Sequence, residues 1–234
     1  MSLAVITGAS RGIGYATAEA FMAAGWDVLT LSRSPCTIPN VRHRCTDMLA
    51  PGWAAELRAW LATELDSRPR RICLVHNAAM MVKDTAIDMD LEGMRRTLEL
   101  NVIAPAALNR LFLGRMTTGS SILYIGSTLS EKAVGGTASY VTSKHAVAGL
   151  MRATCQDATG TGIHTACICP GFTATEMLLT HIGDDASVRA HVEGMSTMGR
   201  LIEPREIAST VLFCAENPVI NGAILHANLG QVEH

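Results

Sequence analysis

Short apolar runs alternate with stretches of helical periodicity along the whole 234-residue chain. Seven runs have the length and composition of buried strands: Leu3–Thr7, 28–31, 41–46, 72–75, Ser121–Ile125, 163–169 and 220–226. Apolar residues recur at helical spacing in 12–24, 53–65, 91–113, 138–158 and 204–215. Strands separated by helices build a parallel sheet that is covered on both faces. The sequence therefore predicts an α/β fold with a doubly wound, seven-stranded parallel sheet.

Two segments depart from this alternation. Pro105 lies inside 91–113, which predicts a kink or a boundary there. Residues 172–200 are long and irregular, and such a connection in a compact domain is usually a lid or a binding loop. No repeat, low-complexity stretch or linker interrupts the chain, so residues 1–234 are predicted to form one domain with a lid or substrate loop at about 172–200.

Composition excludes several classes of function. Apolar residues make up 48% of the chain and charged residues 17%, which excludes a disordered or fibrous protein. The formal charge is −2, so no basic surplus exists to bind a phosphate backbone. Aromatic residues make up only 4%, too few to form a base-stacking surface. We therefore expect no nucleic-acid partner.

The cysteines and the apolar runs indicate the compartment. The seven cysteines are odd in number and include no Cys-x-x-Cys, so we expect reduced thiols, no metal site and a cytoplasmic location. Cys167 and Cys169 are interpreted as ordinary buried residues, with a redox or metal role as the less favoured alternative. No apolar run reaches the roughly 18 residues that span a bilayer, so no membrane partner is expected. A secretory signal would have no room before the glycine-rich motif that begins at Thr7.

That motif, Thr-Gly-Ala-Ser-Arg-Gly-Ile-Gly at residues 7–14, joins the first strand to the first helix. Gly8 allows a tight turn, Gly12 lets the backbone approach a pyrophosphate, and Gly14 allows close packing of helix on strand. The free N–H groups and the positive helix end then face the phosphates. A plain turn is the alternative. The predicted cofactor contacts here are Gly8, Ser10, Arg11, Gly12, Ile13 and Gly14.

The end of the second strand indicates which dinucleotide is bound. A carboxylate at this place binds the 2′-hydroxyl of NAD, whereas basic residues suit the 2′-phosphate of NADP. This chain has Ser32 followed by Arg33, and Arg11 lies in the glycine loop. Two guanidinium groups can converge on one phosphate. The residues predict NADP(H) in preference to NAD(H), the alternative being two solvated surface arginines.

A tyrosine and a lysine four residues apart carry the chemistry. Tyr140 and Lys144 share one face of the predicted helix 138–158, and Ser127 closes the fifth strand at the edge where parallel sheets bind ligands. An ammonium close to a phenol favours the phenolate, which is the form that accepts a proton. Tyr140 would then exchange a proton with a substrate oxygen that Ser127 hydrogen-bonds. A surface Tyr/Lys pair is the alternative.

Together these segments resemble the short-chain dehydrogenase/reductase family over essentially the whole chain. The motifs that carry the resemblance are residues 7–14, His76-Asn77-Ala78-Ala79, Asn101, Ser127, Tyr140 with Lys144, Pro170-Gly171-x-x-x-Thr175, Asn221-Gly222 and the closing Ala227-Asn228-Leu229-Gly230. The resemblance implies a Rossmann fold.

The resemblance also implies a catalytic tetrad. Tyr140 would be the general acid/base, Lys144 would bind the nicotinamide ribose, and Ser127 would orient the substrate oxygen. Asn101 would complete the set through a backbone-bound water. Asp47 would meet the adenine. The other implied cofactor contacts are Met48, Asn77, Ala78, Ala79, Tyr140, Lys144, Pro170, Gly171, Thr173 and Thr175.

The implied activity is hydride transfer between nicotinamide C4 and a carbonyl or secondary alcohol of a small molecule. Segments 170–177 and 198–201 look most like the 3-oxoacyl-thioester reductases. A non-catalytic NADP(H)-binding regulatory module and an isomerase or dehydratase of the family are the alternatives. A homo-oligomer, tetramer or dimer, is also implied.

Three features depart from the family pattern. The usual Asn-Asn-Ala-Gly reads His76-Asn77-Ala78-Ala79, and the usual closing Asp-Gly-Gly reads Asn228-Leu229-Gly230. The chain is also somewhat short. In the predicted lid, His181 and Arg189 are expected to be exposed loop residues, with contact to an acidic substrate group as the alternative.

Overall fold

A computed structural model describes residues 2–65, 68–183 and 185–232, with the backbone alone for residue 181. Seven parallel strands form one sheet in the order β3-β2-β1-β4-β5-β6-β7, which confirms the predicted α/β fold. The strands are β1 Leu3–Thr7, β2 Asp27–Ser32, β3 Arg42–Cys45, β4 Ile72–His76, β5 Ser121–Ile125, β6 His164–Pro170 and β7 Ala223–Ala227. The order reverses beside β1, so a crevice opens between the carboxyl ends of β1 and β4.

Helices cover both faces of the sheet. They are α1 Gly12–Ala23, α2 Trp53–Glu64, α3 Leu91–Leu98, α4 Ala104–Phe112, α5 Ala138–Asp157, α6 Glu176–Ile182, α7 Ala186–Gly194 and α8 Pro204–Glu216. The strands β1, β4 and β5 are buried along their whole length, because successive side chains enter the cores on opposite faces. One core packs against α2, α4 and α5, and the other against α1 and α8. In the described part of the chain, no helix is long and apolar enough to cross a membrane.

The predicted helix 91–113 is divided. A π-helical turn, Glu99–Ile103, separates α3 from α4. Pro105 lies in the first turn of α4 and has no N–H, so it cannot donate the regular helical hydrogen bond to the carbonyl of Asn101. The π turn and the proline therefore act together at Asn101, and π turns of this kind are frequent at functional sites.

The prediction that 172–200 is irregular was wrong. Residues within it form α6 and α7, and each begins with a capping side chain. The Thr175 hydroxyl accepts from the Leu178 N–H, and the Asp185 carboxylate accepts from the Ser187 N–H. These caps satisfy N–H groups at helix starts that have no partner inside the helix.

The helix α5 is capped from a distant loop. Its own Ncap residue, Thr137, makes no side-chain capping bond. Instead the carboxylate of Asp84 accepts hydrogen bonds from the Ser139 N–H (3.1 Å) and from the Ser139 hydroxyl. Backbone bonds run from Asp84 N–H to the Gly136 carbonyl and from Ala138 N–H to the Asp84 carbonyl. The loop after β4 thus holds the start of α5.

Removal of this cap should destabilise the fold. We expect Asp84→Ala to lower the free energy of unfolding by about 1–2 kcal/mol, because Ser139 is buried and loses a charged acceptor at the helix N-terminus. Urea denaturation measures the change. Asp88→Ala is the matched control, since Asp88 is an exposed carboxylate in the same loop. Equal stability of the two variants would contradict the capping role.

His76 anchors a buried polar chain at the end of β4. Its Nε2 donates to Asn109 Oδ1 (2.8 Å), Asn109 Nδ2 donates to the Tyr124 hydroxyl (2.7 Å), and that hydroxyl pairs with Thr154 (2.9 Å). Burial lowers the pKa of His76 to about 4, and the bond to Asn109 opposes this only in part. His76 is therefore neutral in the folded protein at neutral pH.

This burial should make stability depend on pH. The folded-state pKa of His76 lies below the unfolded value of about 6.5, so its contribution is present above pH 6.5 and is lost as the pH falls towards about 4. The expected loss is about 3 kcal/mol. Urea titrations between pH 4 and pH 7 test it, with His76→Asn as the non-titrating comparison. If both proteins lose stability equally over this range, His76 is not responsible.

Candidate active site

The loop between β1 and α1 is a glycine cradle. Gly8 and Gly12 have φ of 67° and 58°, a backbone region that side chains rarely adopt. A Cβ placed on Gly8 would lie 2.9 Å from Ala78 Cα, and one on Gly14 would lie 2.5 Å from Asn77 Nδ2. The loop therefore requires glycine at these positions, as the motif predicts. Ser10 is half-buried in the same loop, and Ile13 packs against the core under α1.

The residues that follow β4 brace this cradle. The Thr7 hydroxyl accepts the N–H groups of Asn77 and Ala78, each at 2.9 Å. The Asn77 side-chain amide donates to the carbonyls of Thr7 and Gly8. Asn77 thus shapes the loop by bonding its backbone. Ala79 stands where the family pattern has glycine, and its φ is not positive.

The two arginines of the predicted phosphate site lie on different segments, Arg33 after β2 and Arg11 in the glycine loop. Arg33 is exposed directly after β2, and the Ser32 hydroxyl donates to the Ser34 carbonyl at 2.8 Å. The Arg11 guanidinium lies 2.6 Å from the Glu176 carboxylate, and both side chains are more than half exposed. The structure therefore links the glycine loop to the first turn of α6.

Asp47 and Met48, which follow β3, point in different directions, one to the surface and one into the core. The Asp47 side chain is exposed, and its Oδ1 accepts from the Leu49 N–H at 3.0 Å. Met48 is buried in the core that contains Trp53. Asp47 therefore lies at the protein surface, whereas the Met48 side chain belongs to the core.

Tyr140 and Lys144 lie on one face of α5. Lys144 is only 3% exposed, and its ammonium donates to the Ile125 carbonyl at 2.8 Å. The Nζ atom is 5.4 Å from the centroid of the half-buried Tyr140 ring. At this distance the ammonium is attracted by the face of the aromatic ring. The end of β5 thus fixes the lysine against the tyrosine.

Asn101 connects three elements from its π turn. Its Oδ1 accepts from the Met80 N–H at 2.9 Å, and its Nδ2 donates to the Met80 carbonyl at 3.0 Å. Nδ2 also donates to the Ser143 hydroxyl at 2.9 Å. Ser143 precedes Lys144 on α5. The Asn101 side chain therefore positions α5 relative to the loop after β4.

Ser127 directly follows Gly126, the first residue after β5. Its hydroxyl accepts from the Leu129 N–H at 3.1 Å, and its N–H donates to the Ser130 hydroxyl at 3.2 Å. These bonds start a short 3-10 helix, Thr128–Ser130. Half-buried Ser127 can still donate its own proton to a ligand oxygen, because its bond with Leu129 uses the hydroxyl oxygen as an acceptor.

The segment after β6 carries the predicted nicotinamide contacts, Pro170, Gly171, Thr173 and Thr175. A Cβ on Gly171 would lie 3.0 Å from Asn228 Cα, so the C-terminal segment passes close by. The buried Thr173 donates to the Gly171 carbonyl at 3.1 Å. The methyl group of Thr175 lies against Gly12, 3.3 Å from a Cβ built there. The start of the predicted lid therefore rests on the glycine cradle.

Sequence reasoning missed several residues that shape the site. They are Asp84, Ser139, Ser143 and Glu176. Each acts through a partner distant in sequence or through a loop contact, so no local spacing could reveal it. In α7, Arg189 is exposed and pairs with Glu193 at 3.0 Å, while the side chain of His181 lies outside the described residues. Across the described ranges, no three His, Cys, Asp or Glu residues are grouped to hold a metal ion.

Known proteins resemble this chain along almost its full length. Residues 8–231 match the family model described as enoyl-(acyl carrier protein) reductase. The short-chain reductase protein NovJ of Streptomyces niveus is 30% identical, with 98% of this chain and 94% of NovJ covered. The 3-oxoacyl-[acyl-carrier-protein] reductase FabG of Escherichia coli is 30% identical, with 97% and 96% covered.

A solved structure agrees with these relatives. A blue fluorescent protein from a metagenomic library, in complex with NADPH, is 26% identical and superposes with a TM-score of 0.85 over 98% of this chain and 97% of its own. The family model, the relatives and this structure all span the glycine cradle and the Ser127, Tyr140 and Lys144 positions. The chain belongs to the short-chain dehydrogenase/reductase family.

Proposed function

We propose that this chain is an NADP(H)-dependent oxidoreductase that interconverts a carbonyl and a secondary alcohol on a small-molecule substrate, with Tyr140 as the acid/base. One observation carries the proposal. The ammonium of Lys144 is buried 5.4 Å from the Tyr140 ring centroid, at the carboxyl edge of the sheet, where it donates to the Ile125 carbonyl. Burying a lysine is costly, and proteins retain such groups chiefly where they serve chemistry.

The crevice fits a nicotinamide dinucleotide. Side chains at Gly8 or Gly14 would fill the cradle, and the N-terminus of α1 points N–H groups into it. No acidic residue follows β2, and the exposed Arg33 stands where a 2′-phosphate would lie. When bound, the nicotinamide supplies or accepts the hydride. We propose NADP(H) as the preferred form, which agrees with the NADPH in the metagenomic relative.

The residues of the chain divide the remaining work. Tyr140 gives its hydroxyl proton to the substrate oxygen in the reductive direction and recovers it in the reverse direction. Ser127 hydrogen-bonds that oxygen and holds it near the phenol. Lys144 uses one donor on the Ile125 carbonyl, and its remaining donors can reach a ribose hydroxyl. Asn101 keeps α5 in place through Ser143.

Among substrates, 3-oxoacyl thioesters are the first class to test. Residues 170–177 and 198–201 resemble the 3-oxoacyl-thioester reductases, and FabG is a relative over the whole chain. An NADPH oxidation assay should therefore compare a 3-oxoacyl thioester with diketones and aromatic ketones. Turnover of a carbonyl would also separate this function from a non-catalytic NADP(H)-binding module and from an isomerase or dehydratase.

We also propose a cytoplasmic homo-oligomer, dimer or tetramer. The seven cysteines are free thiols, which suits a reducing compartment. Leu91 and Ile103, in α3 and the π turn, are 59% and 51% exposed and offer apolar contact area. Light scattering of the purified protein would give the number of subunits.

Tyr140→Phe tests the acid/base. The ring and its packing remain while the exchangeable proton is lost, so NADPH affinity should be retained and kcat should fall about 10³-fold or more. Cofactor binding is measured by fluorescence and turnover by NADPH absorbance. Tyr15→Phe is the matched control, since Tyr15 lies on α1. A Tyr140→Phe enzyme with most of its activity would show that another group moves the proton.

Arg33→Asp tests the phosphate contact. The substitution places a carboxylate where the 2′-phosphate would lie, so the Kd for NADPH should rise about 10- to 100-fold while the Kd for NADH changes little. Arg58→Asp, on the exposed surface of α2, makes the same charge change elsewhere. An equal loss of both cofactors would refute the assignment of Arg33.

A further inference from the structure

Two thiols face each other beneath the candidate active site. Cys167 and Cys169 are two residues apart on β6, so their side chains share one face of the sheet. Their Sγ atoms are 3.8 Å apart, and both side chains are fully buried. Neither thiol has a part in the proposed proton transfer.

The thiols support the turn that carries Ser127. A Cβ placed on Gly126 would lie 2.7 Å from the Cys167 sulphur and 2.8 Å from the Cys169 sulphur. The same position would be 2.8 Å from the Ser130 hydroxyl. The backbone that leads from β5 into Ser127 therefore rests directly on the two sulphurs.

The surroundings favour one negative charge on this pair. The hydrogen bond with Cys167 lowers the pKa of Cys169, burial opposes it, and the Ser130 hydroxyl and the Ser127 N–H lower it further. The same hydrogen bond, together with burial, raises the pKa of Cys167. Cys169 is therefore the sulphur of the pair that loses its proton more readily.

Charged and titratable groups on the neighbouring elements act on the pair as well. The Lys144 ammonium of α5 favours a thiolate at Cys167. His226 of β7 acts in the same direction on Cys169, and it is itself bonded to Glu131 at 2.7 Å. From β5, the Tyr124 hydroxyl lies close to Cys167 and is engaged with Asn109 and Thr154.

Two other buried cysteines provide a contrast within the same protein. Burial raises the pKa of Cys73 to about 12 and that of Cys214 to about 11. Both belong to the core on the opposite face of the sheet. They are therefore protonated thiols, and thiols react with oxidants far more slowly than thiolates.

We propose that Cys167 and Cys169 form a redox-modifiable dithiol, which a hydroperoxide oxidises reversibly to a disulfide within β6 beneath Ser127. The Cys169 thiolate attacks a peroxide oxygen, so an S–O bond forms while the O–O bond breaks and hydroxide leaves to become water. The Cys167 thiol then attacks the Cys169 sulphur, so an S–S bond forms while the S–O bond breaks and a second water leaves. Two thiols lose two electrons and two protons, and one hydrogen peroxide becomes two waters.

Closing this bridge requires β6 to move. Residues two apart on a strand have Cα atoms about 6.6 Å apart, near the upper end of the range that disulfides span. The sulphurs must also approach from 3.8 Å to bonding distance. The movement would displace Gly126 and Pro170, the backbone positions that precede Ser127 and Gly171. Oxidation should therefore reduce activity, and a dithiol reductant should restore it.

The test is carried out on the full chain in a Cys155→Ser background. Trypsin would otherwise leave Cys155, Cys167 and Cys169 in one peptide, between Arg152 and Arg189. The protein is treated with hydrogen peroxide at neutral pH, the remaining thiols are alkylated, and peptides are mapped by mass spectrometry with and without prior reduction. Cys73 and Cys214 are the internal controls for buried thiols.

We expect the peptide that contains Cys167 and Cys169 to lose two hydrogens and to resist alkylation until it is reduced. Its oxidation should be at least about tenfold faster than that of Cys73 or Cys214, because the two sulphurs lie in contact and the pKa of Cys169 is lowered, whereas burial raises the pKa of both controls. In a Cys167→Ser variant, a dimedone probe should trap a sulfenic acid at Cys169. Oxidation of the pair no faster than that of the controls, or bridging to another cysteine, would overturn the proposal.

The activity measurement adds a separate result. Loss of NADPH turnover that follows disulfide formation, with recovery in dithiothreitol, is the expected outcome, and unchanged activity of fully bridged protein would overturn the effect on Ser127. This measurement rests on the proposed function, whereas the mapping does not. Failure of the catalytic proposal would appear as absence of turnover in the reduced protein, with the dithiol result intact.

Discussion

The buried ammonium of Lys144 is the constraint on which the rest of the site depends. A charged group with 3% exposure is stable only when its hydrogen bonds are supplied by the fold. The Ile125 carbonyl supplies one of them, and it is available because β5 ends there and the chain turns away at Gly126. The position of α5 relative to the end of β5 must therefore be held within hydrogen-bonding distance.

Two separate sets of hydrogen bonds hold α5 in that position, and both come from the segment between β4 and α4. Asp84 caps the helix start through Ser139, and Asn101 reaches Ser143 from its π turn. Tyr140 lies between these two contacts, one residue after the first and three before the second. Local fraying of α5 would break both sets of hydrogen bonds. The geometry of Tyr140 and Lys144 therefore depends on residues far away in sequence.

The strand pattern and the glycine motif were sufficient to predict the sheet and the cradle, because both are consequences of local periodicity and backbone sterics. Pro105 predicted an interruption of the helix 91–113. It did not predict a π turn, because that turn is formed by the backbone of the preceding residues, which have no sequence signature. The helices α6 and α7 escaped prediction because they are short and largely exposed, so they have no apolar stripe. The Asp84 cap lies 55 residues from its helix, beyond any local pattern.

The two departures from the family's glycines differ in their physical consequences. At Ala79 the backbone lies outside the left-handed region, so an added methyl group requires no unusual φ. At Leu229 the backbone does adopt the left-handed region, with φ of 53°, which costs a leucine about 1–2 kcal/mol relative to glycine. Leu229 packs against the core under α1 and α8, and this burial offsets the cost. Leucine in place of glycine at residue 229 thus adds backbone strain and gains apolar contact with the core. It also precedes Gly230 and follows Asn228, the residue that limits the space at Gly171.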